Sequence, residues 1–155
     1  MGKNGITNQR IGLDVRGGVS IWRDGMIRYN LEKRVDYESL IKLFNQAGWS
    51  DKTLDLERLK SMVENSQIVV TAWDGEKMIG FARCITDYVF NGQINNVIVD
   101  QQYRGRGIGK ELISQIINTS KKVTYILRGD PENIGFYKQI GFEEANLSLV
   151  FYRIE

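Results

Sequence analysis

A chain of 155 residues, 42% hydrophobic and 26% charged, has the length of one domain able to bury a substantial core. Its formal net charge of +2, with both signs interspersed, argues against nucleic acid or an anionic membrane as the main partner. Histidine is absent and Cys84 is the single cysteine, which removes Ser-His-Asp and Cys-His catalysis, an internal disulfide framework and any ordinary metal site.

Residues 1–18 are rich in Gly, Asn and Arg, weakly patterned, and lack the apolar stretch of a signal peptide. They are read as an extension ahead of a domain spanning 19–155. No window holds the ~18 apolar residues of a membrane span, so a cytoplasmic protein is expected. Val19-Ser20-Ile21-Trp22 and Met26-Ile27-Arg28-Tyr29 flank Arg23-Asp24-Gly25, and Asp-Gly between two apolar runs predicts a hairpin. Asp36 can cap a helix with Leu40, Ile41, Leu43, Phe44 and Ala47 on one face, ending at Gly48. A second amphipathic stretch carries Leu56, Leu59, Met62 and Val63.

The β-branched run 68–73, a turn at Asp74-Gly75-Glu76-Lys77 and the return 78–85 form the clearest hairpin. Cys84 within it reads as a buried small residue, there being no histidine to activate it. Residues 93–99 are the next strand, and a glycine-rich turn follows. Ile108, Leu112, Ile113, Ile116 and Ile117 then line one side of a helix. Residues 123–127 are a strand, and Pro131 opens a short helix from about residue 132 that Gly141 ends. Residues 148–154, aliphatic and aromatic, read as a last strand. The order β, α, α, β, β, β, α, β, α, β argues for an α/β chain whose mixed sheet has helices on both faces.

The turn is the most specific feature. Gly105, Gly107 and Gly109 leave no side chains over part of a loop that joins a strand to a helix N-terminus, so backbone N–H groups can converge on an anion. Arg104, Arg106 and Lys110 add charge at its rim. The spacing rejects a P-loop, because Arg104 and Glu111 stand where Gly and Ser/Thr belong. It also rejects a dinucleotide fingerprint, because Lys110 occupies the place of the third glycine. A disordered Arg-Gly segment is excluded by the strong structure on either side. What the residues satisfy is Arg/Gln-x-x-Gly-x-Gly/Ala, through Arg104, Gly107 and Gly109.

The stretch from Val97 to Leu112 closely resembles the acetyl-CoA-binding motif of the GNAT N-acetyltransferases. A second block, Phe136-Tyr137-Lys138-Gln139-Ile140-Gly141-Phe142, resembles that family's C-terminal motif, one strand further on. The resemblance covers residues from about 26 to 154. It implies the acyl-CoA N-acyltransferase fold, a mostly antiparallel mixed sheet of about seven strands flanked by about four helices. It also implies acetyl transfer from acetyl-CoA to a primary amine by direct attack through a tetrahedral intermediate.

On that resemblance, Asn95 and Asn96 face the acceptor, while Val97, Ile98 and Val99 pair through their backbone with the pantetheine arm. A backbone N–H near Val97 stabilises the oxyanion. Gln102, Arg104, Gly105, Arg106, Gly107, Ile108, Gly109 and Lys110 hold the pyrophosphate, and Asn133, Phe136 and Tyr137 flank the cofactor. Tyr137 falls where similar enzymes place the general acid for the departing thiolate; the plainer reading is a core tyrosine. Many members carry a strand carboxylate as base where this chain has Asn95 and Asn96, which leaves a water wire or a carboxylate elsewhere, such as Asp87. Trp49 and Phe90 either contact the acceptor or only pack. A small-molecule amine is the expected acceptor. A protein or peptide amine and a non-catalytic acyl-CoA sensor are the alternatives, and homodimers are common among similar proteins.

Overall fold

A computed structural model describes residues 9–13, 19–23, 26–145 and 148–153 of the chain. In chain order the strands and helices are β1 (Gln9–Leu13), β2 (Val19–Arg23), β3 (Ile27–Asn30), α1 (Tyr37–Gln46), α2 (Leu56–Glu64), β4 (Ile68–Asp74), β5 (Lys77–Thr86), β6 (Asn91–Val99), α3 (Ile108–Thr119), β7 (Thr124–Leu127) and α4 (Ile134–Gln139). Among the described residues, five of the seven strands form one sheet in the order β3-β4-β5-β6-β7, and β1-β2 form a separate two-stranded sheet. The class is α/β as expected. All pairs in the five-stranded sheet are antiparallel except β6 and β7, which run parallel.

Local chemistry accounts for the element ends. Asp36 accepts from the Ser39 N–H at 3.1 Å to cap α1, and Asp55 accepts from the Arg58 N–H at 3.0 Å to cap α2. Gly48 follows α1 at φ 76, the left-handed position that ends helices. Gly75 closes the β4–β5 hairpin at φ 58. The sheet is buried on both sides, so its central strands read as continuous apolar runs. On one face Ile68, Val70, Ala72, Ala82 and Ile94 meet the α3 stripe of Ile108, Leu112, Ile113 and Ile116. On the other, Val69, Trp73, Phe81 and Ile98 meet Leu40, Leu43 and Phe44 of α1 and Leu59 and Val63 of α2. Cys84 is fully buried in the first core, and burial pushes its thiol up to about 11.

Two sequence expectations fail. The first hairpin does not form: β2 pairs with β1, while β3 pairs with β4 through Ile27↔Asp74 to Asn30↔Thr71. The Asp24-Gly25 turn itself lies outside the described residues. An Asp-Gly signal reports a local reversal, but β3 has a stronger distant partner, to which Arg28 adds a bond onto the Gly75 carbonyl. The weakly patterned segment from 1 to 18 includes β1; the rest of it lies outside the described residues. The last strand does not form either. Residues 148–153 are irregular, with Leu149, Phe151 and Tyr152 strongly exposed. Their composition suits a strand, yet strand formation depends on a partner edge, and no described strand pairs with them.

Two glycines set how closely the layers approach. A Cβ at Gly80 would stand 3.1 Å from the Ala72 Cβ and 3.2 Å from Leu112, so its absence lets α3 settle on the sheet. A Cβ at Gly92 would lie 2.7 Å from the Tyr125 ring, whose hydroxyl donates to the Ser120 carbonyl at 3.1 Å and so holds the ring in place. Gly92→Ala is therefore expected to destabilise the fold by about 1–3 kcal/mol. A denaturant midpoint equal to that of the parent would contradict this packing.

Candidate active site

The antiparallel β5–β6 ladder carries one irregularity. Arg83 faces Asn95, but the next pair inward is Phe81 with Ile98, so β6 holds one more residue than β5 over this interval. Asn96 and Val97 have no counterpart in the register, and Asn96 adopts φ 52. This is a β-bulge, which bends the strand that carries it. Arg83 Nε donates to Asn96 Oδ1 at 2.8 Å. On the other side of β6 the parallel pairing with β7 runs from Asn91↔Thr124 to Ile94↔Leu127 and stops there.

Beyond Ile94 the two strands part and a cleft opens. Ile94, Asn95, Asn96 and Val97 form one wall; Leu127, Arg128, Gly129 and Asp130 form the other. Trp49 closes one side, while Asn133 and Tyr137 reach in from α4 and the turn before it. Trp49 is held edge-on against Phe44, with ring centroids 5.3 Å apart. It is thus both the plug at the end of α1 and a wall of the cleft.

Tyr137 is wedged between aromatic neighbours, with ring centroids 5.1 Å from Phe136 and 6.0 Å from Phe142. Gly129 gives it room, since a Cβ there would touch the Tyr137 ring at 3.3 Å. Burial, and then the Asp130 charge, raise its hydroxyl above the ordinary tyrosine value. Tyr137 therefore stays protonated and able to donate throughout the neutral range. Asn133 stands at the start of α4 without capping it by its side chain, so that amide is free for a ligand in the cleft.

Residues 97–99 lead from the cleft to the glycine-rich turn, about 10 Å at the rise of an extended strand. Asp100 starts the turn: its Oδ1 accepts from the Gln102 N–H at 2.9 Å and its Oδ2 pairs with Lys77 at 3.2 Å. Gly105 and Gly107 both sit at φ 77, and a Cβ at either would meet only open space. Gly107 is the N-cap of α3 and no side chain caps that helix. Among the described residues the N–H groups of Ile108, Gly109 and Lys110 find no protein acceptor. An uncovered helix N-terminus behind two bare glycines fits a pyrophosphate.

A family model for the acetyltransferase (GNAT) family matches residues 34–142. The chain belongs to the GNAT acetyltransferase family. It is 32% identical over 117 residues to an uncharacterized ycf52-like N-acetyltransferase of Prochlorococcus marinus, covering 71% of this chain and 64% of the relative. A histone acetyltransferase of Glycine max is 32% identical over 123 residues, covering 70% of this chain and 52% of that protein. A chloroplastic serotonin N-acetyltransferase of Oryza sativa is 28% identical over 129 residues, with coverages of 77% and 64%. Against the first three curated relatives the chain spans 62 to 66% of their length. In fold it matches a probable acetyltransferase of Staphylococcus aureus at TM-score 0.70 and 22% identity, covering 84% of this chain and 99% of that one.

Trp49, Asn95, Asn96, Val97, Asn133 and Tyr137 meet in the cleft. Ile98 and Ile108 bury their side chains in the two cores, which leaves only their backbone for a ligand. Val99 also packs against the first core. Gly109 differs from its two partners: a Cβ there would stand 3.3 Å from Phe136, so this glycine serves the packing of α4 on α3. Arg104 donates to the Val99 carbonyl at 3.1 Å, and the Arg106 guanidinium lies 5.0 Å from the Tyr103 ring centroid; both brace the turn. Gln102 and Lys110 are exposed at its rim.

Two candidates lie outside the cleft. Phe90 is 71% exposed at the start of β6 and does not line the cleft. Asp87 does not line it either; its Oδ1 accepts from the N–H groups of Val89, Phe90 and Asn91, which hold the carboxyl below its usual range. That carboxylate shapes a loop and is poorly suited to act as a base. The sequence reading missed Arg83, Arg128 and Asp130. The available signal was position, because Arg128 and Asp130 follow the carboxyl end of a parallel strand, where α/β sheets place ligands.

Gly107→Val puts a branched residue at a φ that only glycine adopts easily, directly over the uncapped helix end. Titration calorimetry of this variant is expected to show no coenzyme A binding, whereas the parent binds. Parent-like affinity would rule out the turn as the pyrophosphate site.

Proposed function

We propose that this protein transfers the acetyl group of acetyl-CoA to a primary amine of a small molecule by direct attack. The observation that carries the reading is the continuity of three features: the cleft at the β6 bulge, the backbone of 97–99 with its β7 side open, and the uncapped N-terminus of α3. A coenzyme A ligand has a matching sequence of parts, with a thioester, an amide-bearing arm and a pyrophosphate. Acetyl-CoA supplies the activated acyl group. The chain's own residues bind, orient and move protons.

In this account the glycine turn holds the pyrophosphate, and the β6 backbone from Val97 to Val99 pairs with the arm as an added strand would. The N–H of Val97, which lines the cleft at the bulge, donates to the carbonyl oxygen as negative charge develops there. Tyr137 donates its proton to the departing sulfur. Its raised pKa keeps the hydroxyl protonated through the neutral range, so the proton is present when the thiolate leaves. A lysine-like amine, with a pKa near ~10.4, must lose a proton before it can attack. Asp130 is the carboxylate lining the cleft and accepts that proton, directly or through water held by Asn95. The Trp49 wall narrows the acceptor side, which favours a compact amine. The serotonin N-acetyltransferase relative is consistent with that choice, and the histone acetyltransferase relative makes a peptide amine the competing outcome.

Thiol release from acetyl-CoA, followed across a panel of small amines and lysine peptides, separates these readings. Turnover is expected with small amines; turnover with peptides alone would move the acceptor class, and tight binding without any turnover would indicate a sensor. Tyr137→Phe is expected to lower kcat by about 10²–10⁴-fold while the KM for acetyl-CoA stays within about threefold. The pH profile adds a signed check. Because the Tyr137 pKa is raised, the parent should keep its proton donor until the pH passes above the ordinary tyrosine value near ~10, and any loss of rate from Tyr137 lies beyond that. A loss of rate between pH 7 and 9 that Tyr137→Phe abolishes would contradict the raised value.

A further inference from the structure

Arg83 is a cation that the proposed chemistry does not use. It projects from β5 opposite Asn95, next to the buried Phe81, and burial lowers its pKa from the usual arginine value. A guanidinium withdrawn from water is normally matched by a carboxylate. Among the described residues none pairs with it. Its partners are two neutral oxygens: Asn96 Oδ1, 2.8 Å from Nε, and Ser66 Oγ, 3.3 Å from Nη1. Ser66 is itself fixed, since it is 1% exposed and its hydroxyl donates to the Met62 carbonyl at 2.8 Å, just beyond α2.

The other end of this chain of bonds is the bulge. Asn96 sits at φ 52, where asparagine is tolerated but glycine would be less strained. Asparagine adds an acceptor that glycine lacks, and Arg83 occupies that acceptor. The next residue is Val97, which has no Cα partner in the β5 register and lines the cleft. Arg83 is not among the residues that line the cleft, and its bonds run to Asn96 and Ser66.

We infer that Arg83 is a positioning residue: its bond to Asn96 Oδ1 ties the β6 bulge to the end of α2 and so fixes the Val97 N–H and the width of the cleft. The inference rests on the acetyl-transfer reading for its kinetic consequence, but not for its structural one. Removing the bond leaves the bulge free to relax, and the oxyanion donor loses its aim. The glycine turn lies beyond the bulge and is braced separately by Arg104 and Asp100, so donor binding should be spared.

The test uses Arg83→Met, Arg83→Lys, Asn96→Gly and the Arg83→Met/Asn96→Gly pair, each checked for a cooperative melt. Arg83→Met is expected to lower kcat about 10–100-fold, with the acetyl-CoA KM within about threefold of the parent. Arg83→Lys should recover part of that loss, because an ammonium can still donate to Oδ1. The double variant should be no slower than the slower single variant, since both changes remove one bond. Multiplying effects, an unchanged kcat in Arg83→Met, or a loss confined to KM would each overturn the inference. Amide hydrogen exchange on the free proteins separates this claim from the acetyl-transfer reading. Faster exchange at Asn96 and Val97 in Arg83→Met, with Val69 and Val70 unchanged, supports the tie even if no amine is turned over. Unchanged exchange at Asn96 and Val97 rejects it. If Arg83→Met does not fold, Arg83→Lys carries the same exchange measurement, with a smaller shift of the same sign.

Discussion

An antiparallel ladder can absorb one extra residue in one strand only by bending that strand and leaving part of its backbone unpaired. β6 absorbs its extra residue at Asn96, and much of the candidate site follows from that. Before the bulge, β6 is an ordinary central strand between β5 and β7. After it, the strand keeps its β5 partners but has lost β7, and the backbone of 97–99 is open on one side. A sheet buried on both faces would not ordinarily leave such an edge in its interior. The edge is reachable because β7 is only four residues long and the chain turns away at Arg128. The cleft is the space between the two.

The chemistry available in that space is limited by what the chain lacks. With no histidine, there is no side chain whose ordinary pKa lies near neutrality. The groups brought together instead have well-separated roles. Tyr137 is held protonated by burial and by the neighbouring carboxylate charge. Asp130 supplies that charge and is the acidic group on the facing wall. Asn95 and Asn96 contribute amides, which orient but do not titrate. The same division appears at the turn, where Arg104 and Arg106 engage the protein's own backbone and ring, leaving N–H groups and the helix dipole to face a proposed anion.

How much of this could be read in the sequence depended on whether the signal was local. Gly105 and Gly107 are needed for their φ, and glycine at such positions is visible in any sequence. The β4–β5 hairpin was legible for the same reason, as was the α3 stripe. The bulge was not, because its positive φ falls on Asn96 and no glycine marks it. The first hairpin misled because Asp24-Gly25 is a local signal, whereas the pairing of β3 with β4 spans more than forty residues. Residues 148–153 have strand composition, but composition does not supply an edge to pair with. Asp87 was a reasonable candidate base on residue type alone, and only the three backbone N–H groups around it reveal its structural role. Arg83 gave no signal at all, since its importance lies in a bond to a residue on the neighbouring strand.

The central claim is that the β6 backbone beyond the bulge is the rail on which an acetyl donor lies. Residue-resolved amide hydrogen exchange, with and without saturating acetyl-CoA, addresses it most directly. The account predicts that the donor slows exchange at two places together: the N–H groups of 108–110 at the start of α3, and those N–H groups from Val97 to Val99 that lie on the side open toward β7. Protection at α3 alone, with the β6 amides unchanged, would show that an anion binds the turn but that the bulge and its cleft have no part in holding the donor.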